Sequence, residues 1–173
     1  MQATSEGMSL NSDVPQMLHM DLDIKDFCSD WAHCDLMSGY LARMVSHNRL
    51  DSLLFSNLYS SALNELLETV FRVHGEDGKL ECAVHRQGNH DRIELTFPAD
   101  QPTFETYRKA IEKVQASDAE ALYLEALFTE DEPDAGLGLL ELGVDYGARL
   151  TIDRLENGRM CLVAELALED ETE

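Results

Sequence analysis

Few side chains in this sequence have the type and spacing to carry chemistry. Leu63, Leu66, Leu67, Val70 and Phe71 recur at i, i+3, i+4, i+7 and i+8, which predicts an amphipathic helix from about Asp51. Its polar side holds Asn64, Glu65, Glu68 and Arg72. A glutamate there is ordinarily a solvated surface group, and Glu65 becomes a candidate general base only where a ligand site faces it. Asn64 points about 100° away from Glu65 around the helix, so the two do not act as a pair. The second candidate is Gly136-Leu137-Gly138, ahead of an apolar helical run that ends near Tyr146, with Gly147 as its stop. Such glycines either start a helix tightly against a sheet or let backbone N–H groups approach an anion at a helix N-terminus. Cys28, Cys34, Cys82 and Cys161 are scattered and read as buried thiols of a reducing compartment. Cys28, His33 and Cys34 form only a weak metal motif, since no CxxC or HxxxH set accompanies them. His33, His47, His74, His85 and His90 lie at no ligand spacing, and no Ser/His/Asp or Cys/His constellation is visible.

The elements that must position these residues follow from periodicity. Leu18, Met20, Leu22 and Ile24 alternate with polar residues, as in a half-buried strand. From Asp30 the period changes to that of a helix through Trp31, Cys34, Met37, Leu41 and Met44, with Ser29 or Asp30 as its N-cap. Leu80, Cys82 and Val84, a Gly88-Asn89 turn, then Ile93, Leu95 and Phe97 predict a hairpin closed by Pro98 and Pro102. Phe104, Tyr107, Ile111 and Val114 mark a further helix ending near Ser117. Ser117-Asp118-Ala119-Glu120 reads as a capping box opening a short one. The terminal hairpin pairs Leu150 and Ile152 with Met160, Leu162, Ala164, Leu166 and Leu168 across a type I′ Asn157-Gly158 turn. The order β-α-α-β-β-α-α-α-β-β implies an α+β fold. It is a two-layer α/β sandwich with a mixed, mostly antiparallel sheet of about five strands and helices on one face.

With 173 residues the chain has the length of one domain. Residues 1–16 are expected to be a flexible leader, 17–169 a single domain and 170–173 an acidic tail. The 13 basic and 34 acidic residues give a net charge of −21, which argues against nucleic acid and anionic membrane as partners. No apolar run is long enough to span a bilayer and the N-terminal stretch lacks the parts of a secretory signal, so a cytoplasmic location is expected. The acidity is concentrated: residues 115–147 hold nine Asp and Glu and no Lys or Arg.

The element order and two local sequences resemble the GHKL superfamily, the ATPase fold of histidine kinases and anti-sigma-factor kinases. The resemblance spans roughly residues 18–168. Leu63 to Thr69 resembles the family's N-box, E-x-x-x-N. Glu65 falls on the acidic position and Thr69 where the Mg²⁺-binding Asn would stand. Ala135-Gly136-Leu137-Gly138-Leu139-Leu140 resembles the phosphate-binding G2-box, and Asp100 stands where the adenine-contacting Asp of the G1-box would be, without that box's glycines. The resemblance implies Glu65 as catalytic base, Thr69 as Mg²⁺ ligand, and Asp100, Gly136 and Gly138 as ATP-binding residues. The stretch before and through the glycine motif is similar to a small branch of bacterial regulators of GHKL type that act in partner switching. With one box absent, one half-kept and nine acids where a triphosphate would lie, the expectation is a protein-binding regulator with a degenerate nucleotide site. Its expected partners are an anti-anti-sigma-like (STAS-like) protein, a phosphatase-linked regulator or a second copy in a homodimer. The alternative is an active Ser/Thr protein kinase using ATP and Mg²⁺, and the blandest is a homodimeric structural protein.

Overall fold

The computed structural model describes residues 14–47, 52–73, 77–129 and 135–167. Five strands form its sheet: β1 (Gln16–Asp23), β2 (Lys79–Gln87), β3 (His90–Pro98), β4 (Arg149–Arg154) and β5 (Arg159–Leu166). They lie in the order β1-β2-β3-β5-β4, and all four pairings are antiparallel. The helices are α1 (Ile24–Phe27), α2 (Ala32–Ser46), α3 (Ser52–Val73), α4 (Gln101–Val114), α5 (Ala119–Leu127) and α6 (Ala135–Val144). The α+β sandwich expected from the pattern is the observed fold.

Period-two alternation sorts the sheet into two unlike faces. Leu80, Cys82 and Val84 of β2, Ile93, Leu95 and Phe97 of β3, and Met160, Leu162 and Ala164 of β5 are buried on one face beneath the helices. The register places Glu81, Thr96 and Cys161 side by side on the other face, where Arg159 meets Glu81 at 3.1 Å and Arg92 meets Glu94 at 2.7 Å. Such half-exposed pairs keep the open face wet and contribute little stability each. The terminal hairpin turns as its Asn-Gly pair requires, with φ of 70° at Asn157 and 71° at Gly158.

The short elements depart from the pattern in three places. Ile24 is not the last strand residue. Asp23 accepts hydrogen bonds from the Lys25 and Asp26 amides, so a one-turn helix begins and Ile24 stays buried on it. Trp31 takes the N-cap position of α2 with no side-chain cap bond: the Ser29 hydroxyl donates back to the Asp26 carbonyl of α1, and Asp30 accepts from the Ala32 amide at 2.9 Å one residue earlier than a cap would. No capping box forms at Ser117 to Glu120: the Ala119 amide turns back to the Ala116 carbonyl, and the Asp118 side chain makes no cap bond. The expected leader is described only from residue 14, and Leu168 and the acidic tail lie outside the described residues.

One ion pair ties the layers together. Asp91, 1% exposed on the core side of β3, accepts from Arg86 Nε at 2.7 Å and Nη2 at 2.9 Å, and Nη2 also donates to the Val45 carbonyl in the last turn of α2. Asp91→Ala leaves the guanidinium without its carboxylate. Because Arg86 keeps some solvent contact, the expected loss is about 2–3 kcal/mol, below the ~3–5 kcal/mol of a fully buried broken pair. Urea unfolding of the variant measures it, and a change under roughly 0.5 kcal/mol would refute the role of the staple.

Candidate functional site

Three of the residues singled out on the two chemistry-bearing motifs, Glu65, Thr69 and Gly138, meet at the contact of α3 with α6. Glu65 and Thr69 are one turn apart on α3. The glycines do not form a loop ahead of a helix, because α6 begins at Ala135 and contains both Gly136 and Gly138 in its first turn. Gly138 is buried, and a Cβ on it would lie 2.9 Å from Thr69 Oγ1 and 3.5 Å from Glu65 Oε2. The absence of a side chain at Gly138 is therefore what lets α6 approach α3. Thr69 is fully buried, its hydroxyl donates to the Glu65 carbonyl at 2.8 Å, and its own carbonyl accepts from Tyr107 Oη at 3.3 Å.

Glu65 stands half-buried among acids. Burial, then the neighbouring Glu141 and Glu68 carboxylates, push its carboxyl up to about 7, and Arg72 pulls the other way. Burial and the nearby Asp145 and Glu68 also raise Glu141. Glu68 is the best-compensated member, accepting from Asn64 Nδ2 at 2.7 Å and from Arg72 Nη2 at 3.1 Å. Arg72 lies 5.0 Å above the Trp31 ring, and Tyr123 Oη donates to Asp145 at 3.0 Å. Glu141 and Asp145 belong to the acid-rich segment of the sequence, and the fold brings them to Glu65. The signal was available: Gly138, Glu141 and Asp145 stand at i, i+3 and i+7, as do Glu65, Glu68 and Arg72, so each set shares one face of its helix. Among the described residues no group of three or more His, Cys, Asp and Glu is arranged to hold a metal ion.

Asp100 belongs elsewhere. It is the N-cap of α4, accepting from the Thr103 amide at 2.8 Å, and Thr103, through its side chain first and its amide second, holds the Asp100 carboxyl below the usual value. It borders an open cleft with Arg154, Gly158 and Arg159, whose lining includes none of Glu65, Thr69, Gly136 and Gly138. The acidic segment begins beside a different kind of surface. On α5 only Tyr123 is buried, while Leu124, Leu127 and Phe128 project, Phe128 at 85% exposure. Asp118, Glu120 and Glu125 surround them in sequence, and residues 130–134, with four further acids, lie outside the described residues.

Two outcomes follow from the α3–α6 contact. Gly138→Ala is expected to destabilise by about 1–3 kcal/mol through overpacking on Thr69 Oγ1. In the double variant with Thr69→Ala that loss shrinks by at least ~0.5 kcal/mol, and additive losses in chemical denaturation would show that the contact does not set the spacing. Glu65 has a folded pKa near 7 against an ordinary 4.5, so its contribution is intact below 4.5 and is lost as pH rises towards 7. Glu65→Gln is therefore expected to be near-neutral at about pH 5 and stabilising at about pH 8 by ~1 kcal/mol, a figure discounted for its partial exposure. Equal effects at both pH values would contradict the raised carboxyl.

No protein-family model and no curated protein matches this sequence. The fold, in contrast, is similar to that of a chain in the crystal structure of the SiaB–SiaC complex from Pseudomonas aeruginosa. The TM-score is 0.61 at 15% sequence identity, over 87% of this chain and 89% of that one. At that identity the comparison shows a likeness of fold alone.

Proposed function

We propose that this chain is a bacterial signalling regulator of GHKL-like fold that works by binding another protein, with a degenerate nucleotide site. The observation that carries the reading is the α5 surface, where Leu124, Leu127 and Phe128 are exposed in the middle of the acid-rich segment 118–134. Apolar anchors inside a charged rim are the usual anatomy of a protein interface, and this rim suits a basic partner surface. The neighbouring carboxylates of α3 and α6 extend the same sign of charge. A partner of the STAS-like kind, or a phosphatase-linked regulator, fits the partner-switching role; the similar fold in the SiaB–SiaC complex supports it as an analogy of fold.

The residues at the α3–α6 contact are a poor fit to Mg²⁺ and a triphosphate. Thr69 Oγ1, the atom that would take the place of a metal-binding amide, is buried against Gly138 and already bonded within its own helix. The adjacent carboxylates repel phosphate, and Asp100 is a helix cap at a separate cleft. One observation favours the kinase alternative: a half-buried Glu65 near pKa 7 is suited to take a hydroxyl proton at neutral pH.

Thermal unfolding with MgATP separates the two. The regulator reading expects no rise in Tm at millimolar MgATP and no phosphate transfer to a STAS-like substrate. A rise of several degrees, accompanied by transfer that Glu65→Gln abolishes, would establish the kinase.

A further inference from the structure

Away from the α3–α6 contact, the walls of the open cleft beside Asp100 are tied to one another. The start of β2, the junction of β3 with α4 and the β4–β5 turn border a space of about 760 Å³, a size common for small-molecule sites. Gly78 takes a φ of 137°, and a Cβ on it would stand 2.6 Å from Pro98 Cγ, so the first two walls meet only because no side chain intervenes. The Ala99 amide donates to the Gly158 carbonyl at 2.9 Å and joins the second wall to the third. The cleft is therefore preformed.

Six charged side chains line the cleft, and five of them already have partners. Lys25 meets Asp77 at 2.7 Å, Asp21 meets Lys79 at 3.0 Å, and Arg159 meets Glu81 at 3.1 Å. Asp100 is bonded by Thr103 as the cap of α4. Arg154 is the sixth. Among the described residues no carboxylate pairs with it: its guanidinium lies over the Phe104 ring at 5.6 Å, and Asp100 feels its charge without bonding it. A guanidinium stacked on a ring is held in orientation while its N–H fork stays open at the edge, and that fork matches the two oxygens of an oxyanion.

We propose that this cleft binds a small organic acid, with the Arg154 fork taking its carboxylate and the rest of the molecule lying along Pro98 and Ala99. Asp77, Glu81 and Asp100 border the same space and the chain carries −21, so each additional negative charge on a ligand is opposed. That favours a single carboxylate over the more highly charged phosphate. Lys79 and Arg159, already paired, offset the neighbouring acids without adding a second open anion site. The inference is independent of the regulator reading, because the cleft shares no residue with α5 or with the α3–α6 contact.

Proton–nitrogen correlation NMR of the full chain tests it, with sodium benzoate and inorganic phosphate as probes and sodium chloride at matched ionic strength as the control. Benzoate is expected to move the Arg154 Nε–H and Gly158 amide resonances along a saturable curve, with a Kd on the order of 1 mM, and chloride is not. Arg154→Gln is expected to raise that Kd about tenfold or more, and Arg154→Lys, which keeps the charge and loses the fork, by a smaller factor. Arg149→Gln, at the exposed start of β4, is expected to leave it unchanged. The spectra also show whether each variant is folded, and if Arg154→Gln is not, Arg154→Lys decides. Shifts that follow ionic strength alone, saturable shifts confined to residues outside the cleft, or a Kd unchanged in the folded Arg154 variants would overturn the site. Phosphate binding tighter than benzoate would overturn the carboxylate assignment.

Discussion

The spacing between α3 and α6 is the constraint on which the rest of the candidate site depends. Because Gly138 has no side chain, the α6 backbone rests on Thr69 and beside the Glu65 carboxyl. That approach buries Thr69, narrows the water around Glu65 and brings Glu141 within electrostatic reach of it. A wider spacing would let each carboxylate hydrate separately, and none would have reason to depart from its ordinary pKa. The same closeness recurs lower on α6, where Gly143 faces the Val114 side chain of α4. Two glycines at i and i+5 thus let one short apolar helix fit between two longer ones.

The sheet supplies the floor for this arrangement through the inequality of its faces. Its buried face fixes α3 by way of Leu63, Leu66 and Leu67, and the ion pairs on its open face are screened and of small individual worth. The costly electrostatics are few and local. Asp91 and Arg86 are satisfied by one another and by a helix carbonyl, so they join layers. Among the described residues no donor bonds the Glu65 carboxyl as Arg86 bonds Asp91, and the Arg72 guanidinium is turned to Glu68 and the Trp31 ring. Among the described residues the two glutamates with raised carboxyls, Glu65 and Glu141, stand together at the α3–α6 contact.

How much of this was legible in the sequence depended on the range over which each feature is decided. The Asn157-Gly158 hairpin was readable because both residues need positive φ, a property of the residues themselves. The strand and helix stripes were readable because burial on one face enforces a period. Ile24 misled because it stays buried across the change from strand to helix, so alternation continues through a boundary that the Asp23 cap decides. The capping box at Ser117 failed because a backbone bond from Ala119 to Ala116 satisfied the turn before any side chain was needed. Gly136 and Gly138 could not be resolved locally at all. Whether a glycine serves a ligand or a neighbouring helix depends on what faces it, and Thr69 lies far away in sequence.

Charge shows the same dependence on place. As a total, −21 states only that polyanions are disfavoured. Distributed over the fold, it separates the molecule into an acidic side, built from α5, α6 and the second half of α3, and a nearly neutral apolar side on α2 and the first half of α3. The division runs along α3 itself: Ser52 to Asn64 contains no charged residue, and Glu65, Glu68 and Arg72 follow within the next two turns. A helix so divided cannot present both halves to one kind of surface. Its first half gains from losing water and its second half loses by it, since carboxylates already crowded by Glu141 pay a further desolvation cost under any apolar cover. The two ends of α3 are therefore suited to different neighbours, and contact at one end leaves the other accessible.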